Sequence, residues 1–228
     1  MPRCKLPRLY PILDAGLLLQ AGLSIEGFAR ELREAGVRFL QYRDKEASDE
    51  LVLERAALLR SIFPPSDSCL VLNDRVSLVM AAQFDGIHVG QEDLSPAEAR
   101  AVLGTGVLIG VSTHGERQLL MAADGPADYV AIGPVFATLS KQVPDPVVGI
   151  DGVRAARAVT TKPLVAIGGI NRSNCAAVME AGADSVAVIS DLIPRPGDSA
   201  VQRVKEFFLS LGDTRGVTFA GHPTRKTV

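Results

Sequence analysis

The sequence predicts an α/β fold, a single (β/α)8 TIM barrel followed by a disordered C-terminal tail, on three observations. Eight short apolar runs of strand length recur along the chain, segments with helical apolar spacing separate them, and polar residues collect where the runs end. Alternation of this kind gives right-handed crossovers and a parallel sheet. Eight repeats suit closure into a barrel better than an open, doubly wound sheet.

The first run, Leu9 to Leu13, is followed by a helix predicted over Ile25 to Ala35, with Ser24 as its N-cap. Phe39 to Tyr42 is the second run, and the helix Asp49 to Ile62 begins after Ser48 with acidic residues in its first turn. Cys69 to Leu72 and Gly86 to Val89 are the third and fourth runs. Ser95, Pro96 and Glu98 supply an N-cap, a proline at the first helical position and a glutamate at N3. They open a helix to Leu103 that Gly104 closes. Leu108 to Val111, Tyr129 to Ile132, Leu164 to Ile167 and Ser185 to Ile189 complete the eight runs. Helices over Glu116 to Ala123, Asp151 to Val159, Asn174 to Ala181 and Ala200 to Leu211 follow them in turn. The barrel domain is therefore placed at residues 1–211. Residues 212–228, where apolar periodicity gives way to Gly, Thr, Pro and Arg, are expected to be a disordered tail.

The 228 residues suit one such domain, and 47% hydrophobic against 22% charged residues with no tryptophan fits a buried sheet of small branched side chains. A formal net charge of -2 provides no uniform basic field, so neither nucleic acid nor an anionic membrane is an expected partner. Any anion site must be local. Cys4, Cys69 and Cys175 are far apart and lack CxxC spacing, which argues against a disulfide framework or zinc knuckle and for a reducing compartment. No apolar h-region follows the charged N-terminus, and no run approaches the ~18 apolar residues of a membrane span. A cytoplasmic enzyme acting on small molecules is expected, with its oligomeric state left open, a homo-oligomer included.

In such barrels the C-terminal ends of the strands and the loops after them carry the chemistry. In Gln41-Tyr42-Arg43-Asp44-Lys45, alternation places Gln41, Arg43 and Lys45 on one side while the chain stays extended. Arginine forks onto phosphate oxygens and lysine is a mobile point charge, a pairing suited to a diphosphate. The plain alternative is a solvated loop. The third run passes into Asn73-Asp74-Arg75, and the fourth ends at His88 before Gly90-Gln91-Glu92-Asp93. Asp74 and Asp93 offer the hard oxygen ligands that Mg2+ prefers, with waters and substrate phosphate completing the shell. Taken singly, a helix N-cap at Asp74 and a turn at Asp93 explain them as well.

The fifth run leads into Ser112-Thr113-His114-Gly115. The sixth leads into Gly133 to Lys141 and on to Gly149, the longest connection in the chain, read as a lid with an ordinary surface loop as the alternative. Gly168-Gly169-Ile170-Asn171 after the seventh run and Ser190-Asp191 after the eighth stand where these barrels cradle phosphate, which makes a second anion site. His88 is expected to point into the barrel or pack near its rim. His114 is better placed for chemistry, and an ordinary loop histidine is the alternative.

Taken together, these motifs resemble the thiamine-phosphate synthase family over about residues 9–210. The carriers are Gln41 to Lys45, Asn73 to Arg75, Gly86 to Asp93, Gly110 to His114, Gly133 to Phe136, Lys141 and Ala166 to Ile170. The resemblance implies a transferase in which Gln41, Arg43, Lys45 and Asn73 bind an aminopyrimidine methyl diphosphate. It further implies that Asp74 and Asp93 hold Mg2+ and that Ser112 and Lys141 contact the pyrophosphate. Thr138, Ser140, Gly169, Ile189 and Ser190 would then surround a thiazole phosphate. Two departures stand out: Ser140 replaces the second threonine of the family's Thr-x-Thr-Lys, and Ala137 replaces the proline before it. The segment from Gln142 to Val148 is not a close match either.

The implied reaction begins with loss of pyrophosphate from the pyrimidine's exocyclic carbon, the ring amino group delocalising the positive charge. The thiazole nitrogen then captures the cation, and no protein nucleophile is needed. Two rivals are a thiazole tautomerase-like barrel, which needs a base such as His114 and no metal pair, and a phosphate-ligand binder without turnover.

Overall fold

The structure, a computed structural model, describes residues 4–138 and 146–213. Residues 214–228 of the expected tail and residues 139–145 of the expected lid, Ser140 and Lys141 among them, lie outside the described residues.

Eight parallel strands close into a barrel in sequence order. They are β1 (Leu9–Asp14), β2 (Phe39–Arg43), β3 (Cys69–Asn73), β4 (Gly86–Val89), β5 (Leu108–Thr113), β6 (Tyr129–Ile132), β7 (Leu164–Ile167) and β8 (Ser185–Val188). The helices are α1 (Ala15–Gln20), α2 (Ile25–Glu34), α3 (Asp49–Ile62), α4 (Pro96–Leu103), α5 (Glu116–Asp124), α6 (Gly149–Val159), α7 (Cys175–Glu180) and α8 (Ala200–Ser210). The predicted N-caps act as such: Ser24, Ser48 and Ser95 accept bonds from the N–H groups of Gly27, Leu51 and Glu98, and the Glu98 carboxylate accepts the Ser95 N–H.

The period of two along each strand builds two apolar shells. Tyr10, Ile12, Phe39, Val71, Leu108, Tyr129, Val165 and Ala187 point inward and fill the lumen. Leu13, Leu40, Leu70, Ile87, Ile109 and Val130 point outward against helix residues such as Leu18, Phe28, Leu32, Leu59 and Phe207. Burial of each large side chain contributes roughly 1.5–3 kcal/mol. Gly110 faces Tyr129 across the β5–β6 ladder, and a Cβ there would fall 1.9 Å from the phenol Cζ, so only glycine leaves room for this ring.

The end of the barrel away from the expected chemistry is braced by three similar pairs. Asp85, Asp128 and Asp184 stand just before β4, β6 and β8 and accept the backbone N–H of Leu70, Ile109 and Leu164. Each also pairs with an arginine of a surrounding helix, Arg60, Arg100 and Arg157 respectively. Asp184→Ala is expected to cost about 1–3 kcal/mol of stability, chiefly by leaving the buried Leu164 N–H unpaired. Denaturant unfolding checks this, with kcat/KM unchanged.

Three features differ from the sequence reading. The short helix α1 follows β1 directly, capped by Asp14, whose carboxylate accepts the Leu17 N–H. Its six residues are too few to show a helical period. The β3–β4 connection carries only a 3-10 turn, Val76–Leu78, so Asp74 caps no α-helix. Cys4 and Cys69 form a disulfide, where unpaired thiols were expected. The N-terminal segment returns to the start of β3 and brings the two Cα atoms to 5.9 Å, a proximity that a sequence separation of 65 conceals. The argument for a reducing compartment from the cysteines falls with it. Cys175 is free and buried.

Candidate active site

β1, β2, β3 and β5 run further at their C-terminal ends than their apolar runs suggested, and the added residues are polar: Asp14, Arg43, Asn73, and Ser112 with Thr113. Inward-facing positions at this end of the barrel thus become a polar mouth.

On β2, Gln41 is buried and donates through Nε2 to the Tyr10 hydroxyl at 2.8 Å. Arg43 pairs with the buried Asp14 of β1, a residue that sequence reasoning missed. This ion pair fixes the guanidinium in the mouth. Lys45 lies beyond the strand, where simple alternation no longer applies, yet its Nζ reaches 3.5 Å from Asp74. Asp44 organises this loop: it accepts from Tyr42 and the Ala47 N–H and pairs with Arg55. Arg75 turns away from the mouth to bond the Ala47 carbonyl and Asp49, which makes it a clamp on the same loop.

Asn73 ends β3, with its Cα in register with His88 of β4. Asp74 follows at φ +64°, a left-handed conformation that Asp tolerates better than most residues, and its N–H bonds the His88 carbonyl. Its carboxylate sits beside that of Asp93. Burial, together with the charge and hydrogen bonding of Asp93, pushes the Asp74 pKa up to about 6 against the pull of Lys45 and Arg43. Asp93 also accepts the Gly90 N–H at 2.7 Å, so it closes its own turn as well. Two carboxylates held together in a half-buried mouth favour a proton or a cation between them, and hard oxygen donors of this kind fit Mg2+.

The linkage has a definite sign. A carboxyl with a raised folded pKa contributes stability that is fully present below about 3.8 and lost as pH rises through about 6. Asp74→Asn should therefore stabilise the metal-free protein at pH 7–8, by up to about 3 kcal/mol. The gain should shrink as pH falls below 6 and vanish near 4. Thermal unfolding at several pH values in EDTA checks this.

Ser112 on β5 bonds His88 Nε2 at 2.8 Å through Oγ, while its carbonyl accepts Gln91 Nε2. His88 is buried in the lumen, as expected, with Nδ1 on the Tyr129 hydroxyl at 2.9 Å. His114 turns Nδ1 to the Gly133 carbonyl and so presents a proton there. Across the barrel, at β6 to β8, Thr138 is half-buried, Ile189 is half-buried at the end of β8, and Ser190 is exposed and opens a 3-10 turn. Gly169 sits at φ +63°, where a Cβ would lie 2.6 Å from the Ala137 carbonyl oxygen. The close approach of the two loops is therefore one reason for glycine here, alongside any access to phosphate. Asp191 binds both Arg172 of the β7 loop and Arg203 of α8, which ties the β8 loop to each, a cluster the sequence reading did not single out.

The structure thus brings Arg43, Lys45, Asp74 and Asp93 together at the β2–β4 exits. Gly169, Ile189 and Ser190 stand at β7 and β8, on the far side of the mouth.

A family model described as thiamine monophosphate synthase matches residues 9–192. The thiamine-phosphate synthase of Koribacter versatilis is 52% identical over 89% of this chain and 95% of its own length. That of Chloroflexus aurantiacus is 41% identical over 86% and 89%. Among solved structures, a thiamine phosphate pyrophosphorylase from Pyrococcus furiosus is similar with a TM-score of 0.80 and 29% identity, covering 90% of this chain and 96% of that one. These matches span the whole barrel and the mouth just described: the chain is a transferase that belongs to the thiamine monophosphate synthase family.

Proposed function

We propose that this barrel condenses 4-amino-2-methyl-5-(diphosphooxymethyl)pyrimidine with a thiazole phosphate, giving thiamine phosphate and pyrophosphate, with Mg2+ held by Asp74 and Asp93. The observation that carries the reading is the meeting of two carboxylates with Lys45 and Arg43 at three adjacent strand exits. Cations beside a carboxylate pair suit a metal-bound diphosphate and have no evident use in a tautomerase that only moves a proton.

When bound, Mg2+ would neutralise charge on the departing pyrophosphate. Arg43, pre-oriented by Asp14, and Lys45 would share that charge, and Ser112 would donate to a phosphate oxygen. Gln41 and Asn73 would orient the pyrimidine so that its amino group can stabilise the developing cation. On the other side of the mouth, the Gly169 N–H, Ser190 and Thr138 would hold the thiazole phosphate, with Ile189 against the ring. Ser140 and Lys141, outside the described residues, are assigned to the thiazole phosphate and the pyrophosphate on the family resemblance.

No helix among the described residues is long and apolar enough to cross a membrane. A cytoplasmic setting belongs to the proposal on the ground that multiply charged phosphate substrates do not cross membranes unaided. Nucleic acid has no part in it, and a homo-oligomer is compatible with it. The test is turnover: purified enzyme with both substrates should form thiamine phosphate and pyrophosphate in equal amounts with Mg2+ and none in EDTA. Absence of both products with Mg2+ present would leave a tautomerase or a binding role.

A further inference from the structure

Beneath the mouth, five side chains from five elements bond in series across the lumen. Gln41 Nε2 donates to the Tyr10 hydroxyl at 2.8 Å, and the Tyr10 and Tyr129 hydroxyls are 2.9 Å apart. The Tyr129 hydroxyl meets His88 Nδ1 at 2.9 Å, and His88 Nε2 meets Ser112 Oγ at 2.8 Å. Tyr10, Tyr129 and His88 are buried, and none of their polar atoms is among the buried groups left without a partner.

With the Gln41 amide nitrogen on Tyr10, complete donor bookkeeping gives this series one of its two directions. The Tyr10 oxygen accepts from Gln41, so the Tyr10 proton is satisfied only by donation to Tyr129. The Tyr129 proton must then go to His88 Nδ1, which is therefore the acceptor nitrogen. The remaining ring proton sits on Nε2 and points at Ser112 Oγ. Ser112, accepting from below, has its own proton free to point up into the mouth. At the opposite end, Gln41 gives one N–H of its NH2 to Tyr10, and the amide's carbonyl oxygen lies on the other side. A protonated ring would place a second N–H against the Tyr129 proton, so the series as bonded holds the ring neutral.

The reverse direction also satisfies every buried group, but only with the amide turned over and the imidazole proton on Nδ1. Ser112 would then offer a lone pair to the mouth, and Gln41 would offer N–H. An anion above Ser112 rejects that state, because oxygen would face oxygen.

We propose that this chain couples the two ends of the pyrimidine diphosphate: a phosphate at Ser112 sets the direction of the series, and the direction makes Gln41 an acceptor for the ring's amino group. His88, Tyr129 and Tyr10 are thereby positioning residues that never touch substrate. The inference rests on the proposed placement of the diphosphate at Ser112 and the ring at Gln41. It adds a specificity mechanism: a pyrimidine lacking the amino donor is rejected because the amide cannot turn over to suit it without reversing four bonds.

The test uses wild-type enzyme with 15N-labelled histidine, with His88→Gln to assign the resonances. With Mg2+ and inorganic pyrophosphate bound, His88 should be neutral with its proton on Nε2. A proton on Nδ1 in that complex overturns the proposal. Tyr129→Phe keeps the ring but cuts the series. Its discrimination between the aminopyrimidine diphosphate and the analogue without the amino group, measured as a ratio of dissociation constants because the amino group is also needed for the chemistry, should shrink about tenfold, or ~1.4 kcal/mol. Undiminished discrimination also overturns it. If Tyr129→Phe does not fold, Tyr10→Phe cuts the next link and carries the same expectation. Failure of wild type to make thiamine phosphate would sink the functional reading instead. In that event the tautomer with Mg2+ and pyrophosphate bound, Nε2–H expected and Nδ1–H contradictory, still decides whether an anion at Ser112 sets the direction of the series.

Discussion

Asp74→Asn and Asp93→Asn each lower kcat/KM by at least about 100-fold, the scale on which removal of one oriented group that stabilises developing charge is felt. Asparagine is the right replacement at residue 74, because it tolerates the left-handed backbone that alanine would strain. At residue 93 it keeps an oxygen to accept the Gly90 N–H, so the turn survives. The fold is therefore retained, and at residue 74 it is strengthened in metal-free protein through the raised pKa. Opposite signs for activity and stability in one variant mark a site kept for function at a cost to the fold. Steady-state rates at saturating and limiting Mg2+ check the activity arm, and near wild-type turnover in either variant removes the pair from the reaction.

Arg43→Ala and Lys45→Ala should each weaken transition-state stabilisation by about 2–4 kcal/mol. The structure orders the two. Lys45 is largely exposed and shares Asp74, so its loss removes one charge and leaves the surroundings hydrated. Arg43 is held by Asp14, whose side chain is only 6% exposed. Its removal strands a buried carboxylate in a mouth built for anions, so Arg43→Ala should be the more damaging. Arg43→Lys should recover part of the loss by restoring charge without the fork. Parallel kcat/KM measurements on the three variants check the order, and equal losses for Arg43→Ala and Lys45→Ala would contradict the role given to Asp14.

The barrel was legible because its strands and helices announce themselves by period and cap, and the four mouth residues Arg43, Lys45, Asp74 and Asp93 were legible because polar residues interrupt apolar runs. What escaped depends on pairing across the barrel. Asp14 reads as the end of a strand until β1 and β2 are put in register, when it stands opposite Arg43. Tyr10 and Tyr129 read as core residues, and only ring closure brings their hydroxyls together over a separation of 119 residues. The Cys4–Cys69 bridge was hidden in the same way. A signal for Tyr129 did exist, since Gly110 in a buried strand marks a close approach, although it does not name the partner. Arg75 shows that a motif mixes roles: it lies beside the candidate metal ligand yet serves the neighbouring loop.

The claim that Asp74 and Asp93 hold the metal on which the diphosphate is bound is tested most directly by titrating pyrophosphate calorimetrically into wild-type, Asp74→Asn and Asp93→Asn enzyme, with Mg2+ and with EDTA. Wild type should bind pyrophosphate at least about 100-fold more tightly with Mg2+, a gain of ~2.7 kcal/mol, and both variants should lose most of that enhancement. An equal affinity in EDTA, or an enhancement kept intact by either variant, would contradict it.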